Sequence, residues 1–110
     1  MKKTILEAIW KEKGSFHMFI DIRHPCLEIN KDKAKNTVLH LNFNKRTVEN
    51  ALFEKDYIAC IMSFNYKKMN VKIPYNCVLL ITDSLDEDNS INVEFKPDLN
   101  EPKKQNLKLI

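Results

Sequence analysis

The sequence predicts a mostly β domain with an N-terminal α-helix, folded as a small antiparallel, partly open barrel or sandwich. Three observations carry this. Apolar residues keep helical spacing only up to Lys13, the period changes to two from His17, and about six short strand-like runs follow, separated by polar turns. The chain has 110 residues, 44% hydrophobic and 30% charged, which leaves room for one compact core and not two. A single Gly and four Pro exclude collagen-like and low-complexity classes.

The helix is expected from about Ile5 to Lys13. Thr4 and Glu7 have capping-box spacing, and Lys11, Lys13 and Gly14 mark a C-terminal end. Ile5, Leu6, Ile9 and Trp10 form a wide apolar stripe on a helix too short to stand alone. It must pack on its own domain, against the same helix of a second copy, or both. His17 to Ile22 reads as a strand interrupted by Pro25, followed by a short stretch from Cys26 to Ile29 and a turn from Asn30 to Asn36. Thr37, Leu39, Leu41 and Phe43 alternate with Val38, His40 and Asn42, as in a strand with one buried face.

Tyr57 to Phe64 is apolar on both faces except at Ser63, which fits a central or covered strand. Met69, Val71 and Ile73 alternate with Asn70 and Lys72 in a half-exposed partner strand. Val78 to Ile81 is a further buried run, and Ile91, Val93 and Phe95 close the series after an acidic surface loop from Asp83 to Asp88. Arg46 to Glu54 reads either as a helix, from Val48, Ala51 and Leu52, or as an irregular excursion. Residues 96–106 hold two prolines and almost no apolar content, the composition of a flexible linker. Leu107, Lys108, Leu109 and Ile110 then restore apolar character, as frayed core strand or as an exposed docking peptide.

Chemistry is sparse. His17 and Asp21 share a strand face about 13 Å apart, too far for an acid–base pair. His24 and Cys26 lack the further ligands of a zinc site, and His40 reads as an outer-face histidine. One glycine cannot build a phosphate-binding loop. No catalytic residue, metal or cofactor is therefore expected. The odd set Cys26, Cys60 and Cys77, without a Cys-x-x-Cys pair, reads as reduced thiols. No apolar run approaches a membrane span and no signal-peptide apolar region follows Lys2 and Lys3, so a cytoplasmic location is expected. The net charge of +3 rests on scattered lysines, which argues against nucleic acid. Phe64, Tyr66, Lys67 and Lys68 nevertheless set aromatics beside positive charge, and a small RNA-binding β-barrel stands as the alternative.

His17-Met18-Phe19-Ile20-Asp21-Ile22 resembles the His-Leu-Val-Val-Asp-Val of the stringent starvation protein B family, adaptors that deliver tagged proteins to the ClpXP protease. The stretch from Leu39 is similar to that family's Leu-Asn-Ile-Ala-Pro-Arg-Ala-Val-Gly-Asn at Asn42, Arg46, Val48 and Asn50. The hydrophobic pattern continues without a gap through Asp56, Phe64, Val71 and Pro74 to Val78 and Ile81. Leu107-Lys108-Leu109-Ile110 is similar to the family's unfoldase-docking peptide.

The resemblance implies a non-enzymatic adaptor without cofactor. Residues 1–95 would form the domain that binds an ssrA-type degradation tag at Phe43, Arg46, Val48, Asn50, Met62 and Phe64. Ile5, Leu6, Ile9 and Trp10 would join a homodimer. Residues 96–106 would be the linker, and Leu107, Lys108, Leu109 and Ile110 would dock on the ClpX unfoldase. The linker is shorter than the family's, and Cys60 to Tyr66 lacks an arginine and both glycines of the corresponding family stretch.

Overall fold

The computed structural model describes residues 2–83 and 92–100. Helix α1 (Lys2–Lys13) leads into β1 (Ser15–Asp21), β2 (Val38–Asn44), β3 (Glu49–Phe53), β4 (Tyr57–Phe64) and β5 (Lys67–Pro74). A 3-10 turn over Tyr75–Cys77, β6 (Val78–Thr82) and β7 (Asn92–Glu94) follow. The strands form two antiparallel sheets, ordered β2-β1-β6-β7 and β3-β4-β5. Among the described residues they do not close into a barrel. This is the helix-plus-antiparallel-sheets class that the change of period predicts.

The sheets bury the alternating residues of their strands against each other. Phe16, Met18 and Ile20 of β1 and Leu39, Leu41 and Phe43 of β2 meet Ile58 and Cys60 of β4 and Val71 and Ile73 of β5. The helix caps one end of this core. Leu6 is fully buried, and Trp10 presents its ring to Phe16 (5.9 Å between centroids), Phe43 (6.1 Å) and Phe53 (6.4 Å). Ring contacts of this kind, edge-on to Phe16 and Phe43 and tilted to Phe53, add to the area term that fixes a short helix in place.

The helix starts at Lys2, earlier than Ile5, because tertiary bonds replace the expected capping box. Thr4 lies inside the helix, Glu7 pairs with Lys3 at 3.4 Å, and Lys2 Nζ donates to the carbonyls of Tyr75 and Val78, both at 3.1 Å. The other end is as expected. Gly14 takes φ +70 and donates to the Trp10 carbonyl at 3.0 Å, a left-handed cap that a side chain would strain.

The ambiguous stretch from Arg46 contains a strand. The register of β3 shifts between Glu49 and Leu52, where Asn50 takes φ +54. The irregularity breaks the period of two and leaves a spacing that mimics a helix. The β4–β5 hairpin turns on Asn65 and Tyr66, with φ of +52 and +66, the two left-handed positions of a two-residue loop. The stretch from Cys26 to Ile29 contributes one bridge, Glu28 to Lys72, with both backbone bonds at 2.9 Å. Residues 96–100, expected as linker, carry no regular structure but lie against the domain. Ile91, most of the acidic loop, residues 101–106 and the expected docking peptide at Leu107, Lys108, Leu109 and Ile110 lie outside the described residues.

Candidate peptide-binding site

Among the described residues strand β2 is a sheet edge, with β1 on one side only. The Ile22 N–H donates to the Thr37 carbonyl at 2.9 Å. Bonded and non-bonded pairs alternate along an antiparallel ladder, so Leu39, Leu41 and Phe43 turn their backbone groups toward β1. Val38, His40, Asn42 and Asn44 turn theirs outward. Val38 exchanges two bonds with Lys35 at 3.0 and 2.8 Å, and the Asn44 carbonyl accepts from Thr47 and Val48, both at 2.9 Å. The outward N–H and C=O groups of His40 and Asn42 have no backbone partner among the described residues.

This free edge borders an open cleft of about 850 Å³. Leu39, His40 and Leu41 form one wall, Phe64 and Tyr66 at the β4–β5 hairpin form the other, and Asp32 lies in the loop that closes one side. The volume suits several residues of extended peptide. A strand laid along β2 would pair its backbone with His40 and Asn42 and turn alternate side chains toward the cleft.

The structure brings few of the predicted tag contacts to this cleft. Phe64 lines it. Asn50 lines a separate hollow of about 370 Å³ with Tyr57, Ile61 and Lys72, and side-chain alternation along β4 puts Ile61 on the face opposite Phe64. Arg46 is exposed in the turn after β2, where its N–H donates to Asn44 Oδ1 at 2.8 Å. Met62 is half-buried and packs on the core. Phe43 and Val48 must be reassigned: Phe43 has no exposed surface and stacks on Phe16 at 5.1 Å, and Val48 is buried. Both belong to the core because β2 and the turn after it fold their apolar side chains inward.

The proposed dimer stripe divides likewise. Leu6 is fully buried and offers a partner nothing, and half-buried Trp10 packs its ring on its own domain. Ile5 and Ile9 remain partly exposed, and with Ala8 and Val93 they line an apolar hollow of about 310 Å³. Sequence reasoning missed the free backbone of β2. Alternation reveals a strand and its buried face, but no residue type marks the strand as an edge.

Ionisable groups on the four-stranded sheet pair with each other. His17 Nδ1 and His40 Nε2 are 2.9 Å apart, and Phe19 stacks on His40 with centroids 4.5 Å apart. Burial, then the neighbouring His40, pushes the His17 pKa down. Asp21 is bound to Arg23, whose Nε and Nη2 donate to its two oxygens at 2.9 and 2.6 Å, with the Arg23 N–H adding a third bond at 3.0 Å. Those bonds hold the carboxyl below its usual range and engage both oxygens. The Cys60 and Cys77 thiols are pushed up to about 12 by burial. Among the described residues no three His, Cys, Asp or Glu side chains converge as a metal site would need.

The fold and cleft define a class of protein, a two-sheet β domain with a free strand edge beside a peptide-sized groove. No protein-family model matches the chain, and no curated protein matches it significantly. No helix among the described residues is long and apolar enough to cross a membrane.

Proposed function

We propose that this chain is a non-enzymatic adaptor that binds an ssrA-type degradation tag as an added strand on β2 and delivers the tagged protein to the ClpXP protease. The observation that carries the reading is the free backbone of His40 and Asn42 beside the cleft. An unstructured tag offers a matching row of amides and carbonyls, which a folded surface does not. Each such bond is worth roughly 0.5–1.5 kcal/mol net, and each apolar tag side chain buried against Phe64 or the rim of Leu39 and Leu41 roughly 1.5–3 kcal/mol. Set against an association cost of at least about 4 kcal/mol, this gives a weak and reversible grip, suited to handing cargo on.

The resemblance supplies the partners. The ClpX unfoldase would receive Leu107, Lys108, Leu109 and Ile110. A homodimer through Ile5 and Ile9 would carry two tails and gain avidity. The location would be cytoplasmic. An RNA-binding β-barrel is less favoured, because among the basic residues at the hairpin Lys68 is paired with Glu49 at 2.9 Å and the sheets stay open.

The test is fluorescence anisotropy of a labelled tag peptide titrated with the folded protein, with a scrambled peptide as control. Saturable binding of the tag alone is expected. Indifference to both peptides overturns the reading, and binding of both that falls steeply with salt points to a charge-driven ligand such as RNA.

A further inference from the structure

The segment after β7 lies against the domain and is fastened at its two ends, Phe95 and Asn100. The Phe95 N–H donates to the Leu79 carbonyl at 2.8 Å, and Lys2 Nζ lies 4.6 Å from the centre of the Phe95 ring. Asp98 Oδ1 accepts the Asn100 N–H at 3.0 Å, which closes a local turn. The Asn100 carbonyl then accepts two bonds, from His24 Nε2 at 3.0 Å and from Asn76 Nδ2 at 3.1 Å.

His24 is built for this contact. It is only 2% exposed, and its Nδ1 accepts the Cys26 N–H at 3.0 Å. That bond leaves the proton on Nε2, aimed at a carbonyl 76 residues away in sequence. Two bonds to one carbonyl, one of them from a ring shielded from water, favour the docked segment over an undocked one.

We propose that His24 and Asn76 latch the polar segment at Asn100 and so fix Asn100, the last described residue, on the domain. For delivery, a consequence that rests on the adaptor reading, the latch sets the reach of the tail. From Asn100, residues 101–106 span at most about 20 Å; released after Phe95, residues 96–106 span nearly 40 Å. A latched tail keeps the unfoldase-docking residues close to the domain, and therefore close to bound cargo. His24 and Asn76 act as positioning residues, through Asn100, without touching tag or unfoldase.

The experiment measures backbone order parameters along residues 92–110 of the full chain, in the wild type and in the His24→Ala and Asn76→Ala variants. In the wild type, values typical of rigid backbone, about 0.85, should persist to Asn100; in either variant they should drop below about 0.6 from Lys96 onward while β7 stays ordered. Low values from Lys96 in the wild type, or unchanged values in folded variants, overturn the latch. Asn76 is only half-buried, so its variant decides the matter if His24→Ala does not fold. Tag affinity should be the same in wild type and variants. Failure of the wild-type chain to bind tag removes the adaptor reading and the argument about reach, and the order parameters still decide the latch.

Discussion

Replacing Phe43 by Ala separates the two roles open to this side chain, groove lining and core packing. Phe43 has no exposed surface, stacks on Phe16 at 5.1 Å and meets the Trp10 ring edge-on at 6.1 Å. Truncating a core Phe removes its transfer term and leaves a cavity, about 3–5 kcal/mol in all. A domain of this length has roughly 5–15 kcal/mol to lose. At roughly 4 °C per kcal/mol, the melting temperature should fall by about 12–20 °C. Thermal unfolding followed by far-ultraviolet circular dichroism reads the first quantity, and anisotropy of a tag peptide at low temperature, where the variant stays folded, reads the second. A large fall in melting temperature with unchanged tag affinity is expected, whereas Phe64→Ala, half-buried at the cleft, should lower tag affinity with a smaller fall in melting temperature. An unchanged melting temperature with lost tag binding in Phe43→Ala would refute the reasoning from burial.

Three further outcomes follow from the same geometry. A thiol reagent at pH 8 should label half-exposed Cys26 quickly and Cys60 and Cys77 only as fast as the domain opens, because burial raises both thiols to about 12; three fast thiols would contradict this. The native state holds the His17 pKa below its ordinary 6.5, so between that depressed value and 6.5 it binds fewer protons than the unfolded chain. Stability should therefore rise with pH through that window and be lost on acidification, and urea midpoints across it should be flatter for His17→Gln than for the wild type. Asn42→Pro removes an outward amide and not one facing β1, so tag affinity should fall about tenfold with a modest stability loss. Unaltered affinity would place the peptide away from β2.

Much of the fold was legible because a strand with one buried face must alternate. Leu39, Leu41 and Phe43 announced β2, and the apolar run from Tyr57 to Phe64 matched β4, the middle strand of its sheet. The gaps have physical causes. A register shift with a left-handed Asn50 hid β3 from a period-two reading. Lys2 begins the helix because carbonyls distant in sequence receive its amine, and no local motif encodes that. The site was less legible. A resemblance in sequence cannot separate a residue kept for packing, such as Phe43 or Val48, from one that faces a cleft, such as Phe64. The latch was hidden for a similar reason, since His24 and Asn100 come together only in the folded chain.

The central claim is that a peptide adds to the free edge of β2. Amide hydrogen exchange, resolved by residue and measured with and without a saturating ssrA-type peptide, tests it most directly. The outward amides of His40 and Asn42 should exchange freely in the unliganded protein and become strongly protected with peptide bound, while those of Leu39 and Leu41, already bonded to β1, should change little. Protection that appears only at another edge, such as β3 or β7, or no protection by a peptide that demonstrably binds, would contradict the account.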